Sequence, residues 1–368
     1  MRPAQLVHKI AKSQRISKER GMSRSPTLRE VASKAGVSIT TVSRVINEGQ
    51  YVSEAKRLKV EGAIEALGFK PNIQAQRLKQ KGDRSYQIGL LYDNPTAHYI
   101  SRLLVGTLEW CEEYGYRLAL ECLESERDDP HPSRSSRLAD RTDLDGLILT
   151  PPLSDDLALL EELEKRGHHI VRLVPFRDRH HTPYVYMDDY GAAKQLGEYL
   201  IGLGHTKIAH IQGDPRHGSA AARLSGFMEA MACAKLEVPQ DWVVEGDYTF
   251  ETALSSALRL LDSEERPTAI FAANDESALA TLFAAERLGI RVPHELSVVG
   301  FDDLPLSSIV KPGITTIQQP LEQMADEAAG LLIALHEGRL DLSKPEPPNV
   351  LVAHHLVERE STSTAPNP

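Results

Sequence analysis

From residue 87 to residue 301 short apolar runs of strand character alternate with longer stretches of helical periodicity, and this alternation restricts the fold more than any other feature of the chain. The runs fall at 87–92, 117–122, 146–150, 170–174, 207–211, 269–272 and 297–301. Strands separated by amphipathic helices pair in parallel, with helices on both faces of the sheet. The pattern continues to residue 360, and about 270 residues exceed one comfortable core, so two lobes are expected over 87–360. The fold class is therefore α/β, with doubly wound parallel sheets behind a separate N-terminal head.

That head is read from residues 27–47. Thr27 is placed to cap a first helix, and Glu30, three residues on, can close a capping box. Leu28, Val31, Ala32 and Ala35 recur at helical spacing on one face. Gly36 ends the helix, because it has no Cβ and takes the left-handed conformation that a sharp turn needs. Ser38 then caps a second helix whose inner side is Val42, Val45 and Ile46. The outer side carries Ile39, Thr40, Thr41, Ser43, Arg44 and Asn47, short groups and one guanidinium suited to base edges and phosphates in a major groove. A third helix starts after Ser53, buries Leu58, Val60, Ile64 and Leu67, and stops at Gly68. An ordinary pair of small amphipathic helices is the competing reading of the first two.

Charge supports a head that meets phosphate. The chain of 368 residues has a net charge of −10, but residues 1–86 hold 18 Lys and Arg against 7 Asp and Glu, leaving 24 against 45 for the remainder. The head is thus +11 and the body −21, the footprint of a chain that meets nucleic acid at one end. Residues 1–24 are basic with little apolar pattern and are expected to be a disordered extension, or a start assigned ahead of Met22. No apolar run approaches the roughly 18 residues that span a bilayer, and no secretory signal is visible, so a cytoplasmic protein without a membrane partner is expected. Cys111, Cys122 and Cys233 are widely spaced and read as buried thiols.

The recognition-helix pattern Val-Ser-x-x-Thr-Val-Ser-Arg-Val at 37–45 and the pattern Pro-Asn...Ala...Leu at 71–78 closely resemble the LacI/GalR family of bacterial repressors. The resemblance runs from Thr27 to about residue 360. It implies a three-helix helix-turn-helix headpiece at 25–70, a hinge helix and linker at 71–86, and a two-lobed unit like periplasmic sugar-binding proteins at 87–360. A flexible tail is expected at 361–368. Three chain crossings join the lobes, expected near Asp188, Ile317 and Pro345, and the last helix, 320–336, should return to the first lobe. The DNA-contacting set so implied is Thr27, Ser38, Ile39, Thr40, Thr41, Ser43, Arg44 and Asn47, with Asn72, Ala75, Leu78 and Lys79 from the hinge. Leu78 would enter a central minor-groove step. The tail lacks the apolar heptads that make tetramers of the lactose repressor, which points to a homodimer.

In parallel sheets ligands lie beyond the carboxyl ends of the strands. By resemblance Arg223, Asn274, Asp302 and Gln319 hydrogen-bond an effector, and Tyr248 packs on a sugar ring. Asp188 matches the Asp of a Val-Asp-Asn pattern, although Asp189 stands here in place of the Asn. Asp93, Asn94 and Tyr99 are first-lobe candidates, in a loop that departs from the lactose repressor. Asp275 and Asp303 read as caps of the segments after them. Carboxylates, amides and a guanidinium suit paired hydroxyls, so a mono- or oligosaccharide is preferred to a purine. The pairs His168/His169, His180/His181 and His354/His355 lack the spacing of a zinc site. No GxSxG or GxGxxG is present, and residues 213–219 lack the Lys of a phosphate loop, so no cofactor, metal or catalytic residue is assigned. Two functions follow: an effector-controlled transcriptional repressor of carbohydrate genes on a palindromic operator, or a cytoplasmic sugar-binding or sugar-modifying protein with a basic nucleic-acid anchor.

Overall fold

The computed structural model describes residues 27–46, 52–67, 85–93, 96–123, 143–340 and 346–366. Residues 1–26, Asn47, Asn72, Ala75, Leu78, Lys79 and Asn94 lie outside the described residues, as do the side chains of Ser43, Arg44, Ile46 and Glu54. The chain divides into two compact units, Met1–Gly82 and Asp83–Pro368.

The first unit holds three helices, α1 (Leu28–Ala35), α2 (Ile39–Ile46) and α3 (Glu54–Leu67). The capping box forms, with Glu30 N donating to Thr27 Oγ1 and Thr27 N donating to the Glu30 carboxylate. Gly36 sits at φ 65°, and Ser38 Oγ accepts from Thr41 N at 3.1 Å, so the turn and second cap follow the sequence. Val31, Ala32, Val42, Val45, Val60 and Ala63 make the core. Leu58 is not part of it, being 64% exposed. Val60, Ala63, Ile64 and Leu67 form the inward stripe of α3, and a residue two positions before Val60 points to the far side of the helix. Leu28, at the first position of α1, is also exposed.

The second unit begins with β1 (Gln87–Tyr92), α4 (Ala97–Tyr114), β2 (Arg117–Cys122), β3 (Gly146–Leu149), α5 (Leu157–Lys165), β4 (Ile170–Leu173) and β5 (Tyr184–Tyr186). The chain crosses at 187–188 into α6 (Asp189–Gly202), β6 (Ile208–Ile211), α7 (Gly218–Cys233), β7 (Val243–Val244), α8 (Phe250–Leu261), β8 (Ala269–Ala272), α9 (Asp275–Arg287), β9 (Ser297–Asp302), α10 (Pro305–Ile309) and β10 (Thr315–Gln318). It returns through α11 (Leu321–His336) and β11 (Asn349–Leu351), then crosses last to β12 (His355–Val357). The sheet orders are β11-β5-β4-β3-β1-β2 and β12-β10-β9-β8-β6-β7, parallel throughout except that β12 runs antiparallel to β10. Both lobes therefore reverse strand order at the same place, between β1 and β3 and between β6 and β8, where doubly wound sheets open a crevice.

Ile317 still pairs with Phe301 and Leu356, so the second crossing falls one step later than expected, at 319–320. The third, expected near Pro345, falls at 352–354, because β11 remains in the first sheet beside β5. α11 packs on α4 so closely that a Cβ on Gly106 would lie 2.2 Å from the Glu322 carbonyl oxygen. Residues 361–365 of the tail are held, against expectation. Ser361 is buried, donating its N–H to Gly313 O at 2.8 Å and accepting from Thr315 N at 2.8 Å, and Ala365 N donates to Leu203 O at 2.9 Å. Hydroxyls of this segment satisfy the backbone beside β9 and β10. Cys111 is buried as expected, but Cys122 is half-buried and Cys233 exposed.

Candidate functional site

Each unit carries one candidate site. In the first, α2 leaves Ile39 and Thr40 exposed, and Ser38 Oγ lies 2.7 Å from Thr40 Oγ1 and 2.8 Å from Thr41 Oγ1. Thr27 and Ser38 hold the caps of α1 and α2, so their hydroxyls set helix position before they meet anything else.

In the second unit, a cleft of about 390 Å³, its open mouth included, gathers residues from the carboxyl ends of both sheets. The first lobe supplies Thr96, Tyr99, Pro151 and Val174, the second Asp189, His217, Ser219, Arg223, Tyr248, Asn274 and Asp302, and Gln319 lies at the crossing. Six expected residues thus meet in one place: Tyr99, Arg223, Tyr248, Asn274, Asp302 and Gln319.

Arg223, on α7, organises the cleft. Its Nε donates to Asp189 Oδ1 at 2.9 Å and its Nη1 to Ala273 O at 2.6 Å, while the guanidinium carbon stands 3.6 Å from the centre of the Phe301 ring. Asp302 Oδ1 is 3.9 Å from Nη1 and accepts from Gln319 Nε2. Burial pulls the Arg223 pKa down, but Asp189, Tyr248 and Asp302 raise it more, so the cation is secure. Burial raises the Asp189 carboxyl above its ordinary range against the pull of Arg223. It pushes Asp302 up to about 7, again with Arg223 opposing. The Tyr99 hydroxyl is raised by burial and by Asp302 and Asp189, and burial pushes the His217 imidazole down to about 4. At neutral pH the site holds a neutral histidine and neutral tyrosines around one guanidinium and two carboxyls.

Asn274 caps α9, accepting from Ser277 N at 2.9 Å, and its amide donates to Tyr248 O at 3.0 Å. That bond holds Tyr248 at φ 70°, a conformation rare for a non-glycine residue, with its ring edge-on to His217 at 5.2 Å. Two expected residues do not reach the cleft. Asp188 caps α6, accepting from Gly191 N at 2.9 Å, and the first helical residue, Asp189, turns inward in its place. Asp93 is buried against Arg216 Nη1 at 3.1 Å, an ion pair from first lobe to second, and Arg216 also holds Asp214 at 2.7 Å. Asp275 and Asp303 are structural but not caps. Asp275 accepts from Leu304 N and Thr316 Oγ1, and Asp303 from Gln318 Nε2 and Arg359. Thr96, Pro151 and Val174 carry no distinguishing sequence signal. His217 and Ser219 had one, their place after β6 in a Gly-containing loop at the switch point.

Residues 27–72 match the family model described as bacterial regulatory proteins, lacI family, and residues 198–362 match a periplasmic binding protein-like domain. The chain is 33% identical over 365 residues to the HTH-type transcriptional repressor PurR of Escherichia coli (strain UTI89 / UPEC), a match covering 92% of this chain and 98% of that protein. The chain belongs to the LacI family. PurR of Klebsiella pneumoniae (strain 342) is 32% identical with the same coverage. Among solved structures, a transcriptional regulator CelR–cellobiose complex superimposes with a TM-score of 0.69 at 31% identity, over 91% of this chain and 99% of that one. The lac repressor dimer bound to operator and the anti-inducer ONPF gives 0.66 at 27% identity, over 92% and 100%. This LacI-family chain is a DNA-binding transcriptional repressor with an effector domain. Among the described residues no group of three or more His, Cys, Asp or Glu is placed to hold a metal, and no helix is long and apolar enough to cross a membrane.

Proposed function

We propose that this repressor binds a palindromic operator as a homodimer in the cytoplasm, reads bases through Ile39, Thr40 and Arg44, and is controlled by a carbohydrate in the cleft, at genes for carbohydrate uptake or catabolism. One observation carries the ligand class. Asp189, Arg223, Asn274, Asp302 and Gln319 converge on a single cleft with two tyrosine rings, Tyr99 and Tyr248. Carboxylates, amides and a guanidinium each make paired hydrogen bonds, which suits adjacent hydroxyls, and an aromatic face suits the apolar side of a sugar ring. The cellobiose carried by one structural neighbour is consistent with this reading. On the DNA side, the hinge residues Asn72, Ala75, Leu78 and Lys79 would follow the minor groove, with Leu78 wedged into its central step.

The test is operator binding by gel shift against the chain's own upstream region at two salt concentrations, with and without neutral mono- and disaccharides. A sequence-specific complex that weakens steeply with salt and shifts with one sugar supports the proposal. Weak binding to any DNA that no sugar alters would sink it, and would favour a sugar-binding protein with a basic anchor.

A further inference from the structure

We propose that Asp189 is the specificity-determining acceptor of the cleft, taking a hydrogen-bond donor of a non-anionic effector on its free oxygen and turning away ligands that carry phosphate or carboxylate. This rests on the effector-site reading above and narrows it. Asp189 is 2% exposed, and its Oδ1 is occupied by Arg223 Nε and Nη2. Asp189 and His217 both line the cleft, and Asp189 Oδ2 and His217 Nε2 are each buried without a hydrogen-bond partner. A buried carboxylate oxygen left unpaired is costly, and a ligand N–H or O–H removes that cost on binding.

The charge balance points the same way. Among the described residues that line the cleft Arg223 is the one cation, and it faces two carboxyls, Asp189 and Asp302. Its charge is already engaged by Asp189, the Ala273 carbonyl and the Phe301 ring. Burial holds His217 neutral, so it adds no second cation. Arg216 is engaged by Asp214 and Asp93. An anionic group entering this space would face the Asp189 and Asp302 carboxyls with no free counter-ion at low local dielectric, whereas a hydroxyl or an ammonium group would complete the site. Hydroxyl and ammonium donors share this chemistry, and the titration separates them.

The experiment is calorimetric titration of the full-length chain with neutral mono- and disaccharides, their 2-amino analogues, their phosphates and uronic acids, and free nucleobases. A neutral or amino sugar should bind at least about tenfold more tightly than its phosphate. Asp189→Asn keeps the size and one acceptor for Arg223 but removes the charge. It should weaken the preferred sugar by roughly 10–100-fold, the range for losing a hydrogen bond to a charged group, and should narrow the gap to the phosphate by about tenfold. A residue that only braces Arg223 would weaken neutral and anionic ligands in the same proportion. Such equal losses overturn the proposal, as does tighter binding of a sugar phosphate by the wild type. Binding of a nucleobase and of no sugar sinks the carbohydrate reading alone. Asp189 is then judged by whether Asp189→Asn costs that base tenfold or nothing. If no member of the panel binds, both readings fall.

Discussion

Asp302 stands at the end of β9 with φ 112°, between Arg223 and Gln319, and burial pushes its carboxyl from 3.8 up to about 7 despite the guanidinium. Asp189 and Glu276 push in the same direction. A folded-state pKa above the unfolded one means that the proton favours the folded chain. The contribution to stability is full below the unfolded pKa and is lost as pH rises through about 7. The ligand-free effector unit should therefore lose stability from pH 6 to pH 8, and Asp302→Asn should flatten that slope in thermal melts at fixed ionic strength. Effector affinity should run the other way if the ligand donates to the carboxylate, being about tenfold weaker at pH 6 than at pH 8. A flat affinity profile would remove Asp302 from the ligand contacts. In the headpiece, Arg44→Ala should cost roughly 1–3 kcal/mol at one base pair of each half-site, whereas a uniform loss across operator sequences would make Arg44 a phosphate contact. Asn274 and Asp302 also carry a sequence signal of their own, standing at the carboxyl ends of the apolar strands β8 and β9, whereas Arg223, inside α7, was reached through the family resemblance. Asp188 and Asp189 could not be told apart. Both follow the same strand, and which one caps and which turns inward depends on the residue at which α6 begins.

Helices α4 and α11 meet backbone to backbone at Gly106, where any Cβ would strike the Glu322 carbonyl. Neither chain segment can yield without tilting its whole helix, so Gly106→Ala should destabilise the effector unit by ~1–3 kcal/mol, the usual cost of overpacking. Calorimetry would show this as a lower melting temperature, and an unchanged one would mean that the helices slide apart freely. Elements of this size were legible in sequence, since strands such as β3 and β8 are continuous apolar runs and the helices between them show clear periodicity. The short strands β7 and β11 were not. β11 (Asn349–Leu351) and β7 (Val243–Val244) are too short to show a period, so only pairing with a longer neighbour defines them, and the third crossing was misplaced for that reason. α3 shows the related limit, because Leu58 is as apolar as Val60 and only the helical phase separates them.

Among the described residues, polar contacts that join the two lobes include Arg216 with Asp93, and Arg102 with the carbonyls of Asp302 and Asp303 at 3.4 and 3.2 Å. The first pair is partly exposed, so its worth is that of a surface ion pair, about 0.2–1 kcal/mol. Arg216→Ala should therefore weaken effector binding by roughly 1.5–5-fold while leaving effector-free operator affinity unchanged, because the pair favours the lobe arrangement in which the cleft is formed. Titration of effector against the mutant would check this, and tighter binding would mean that the pair holds the lobes against the ligand. The three crossings also bear on how the protein is made. The core of the DNA-binding unit is complete by Leu67, so it can form while the ribosome is still reading the first lobe. The first sheet, by contrast, begins at Gln87 but lacks α11 and its edge strand until Leu351 has emerged. At about 5–20 residues per second, its apolar faces wait many seconds for partners encoded beyond the entire second lobe. A nascent repressor thus has its DNA-reading head well before it has anything to control it with.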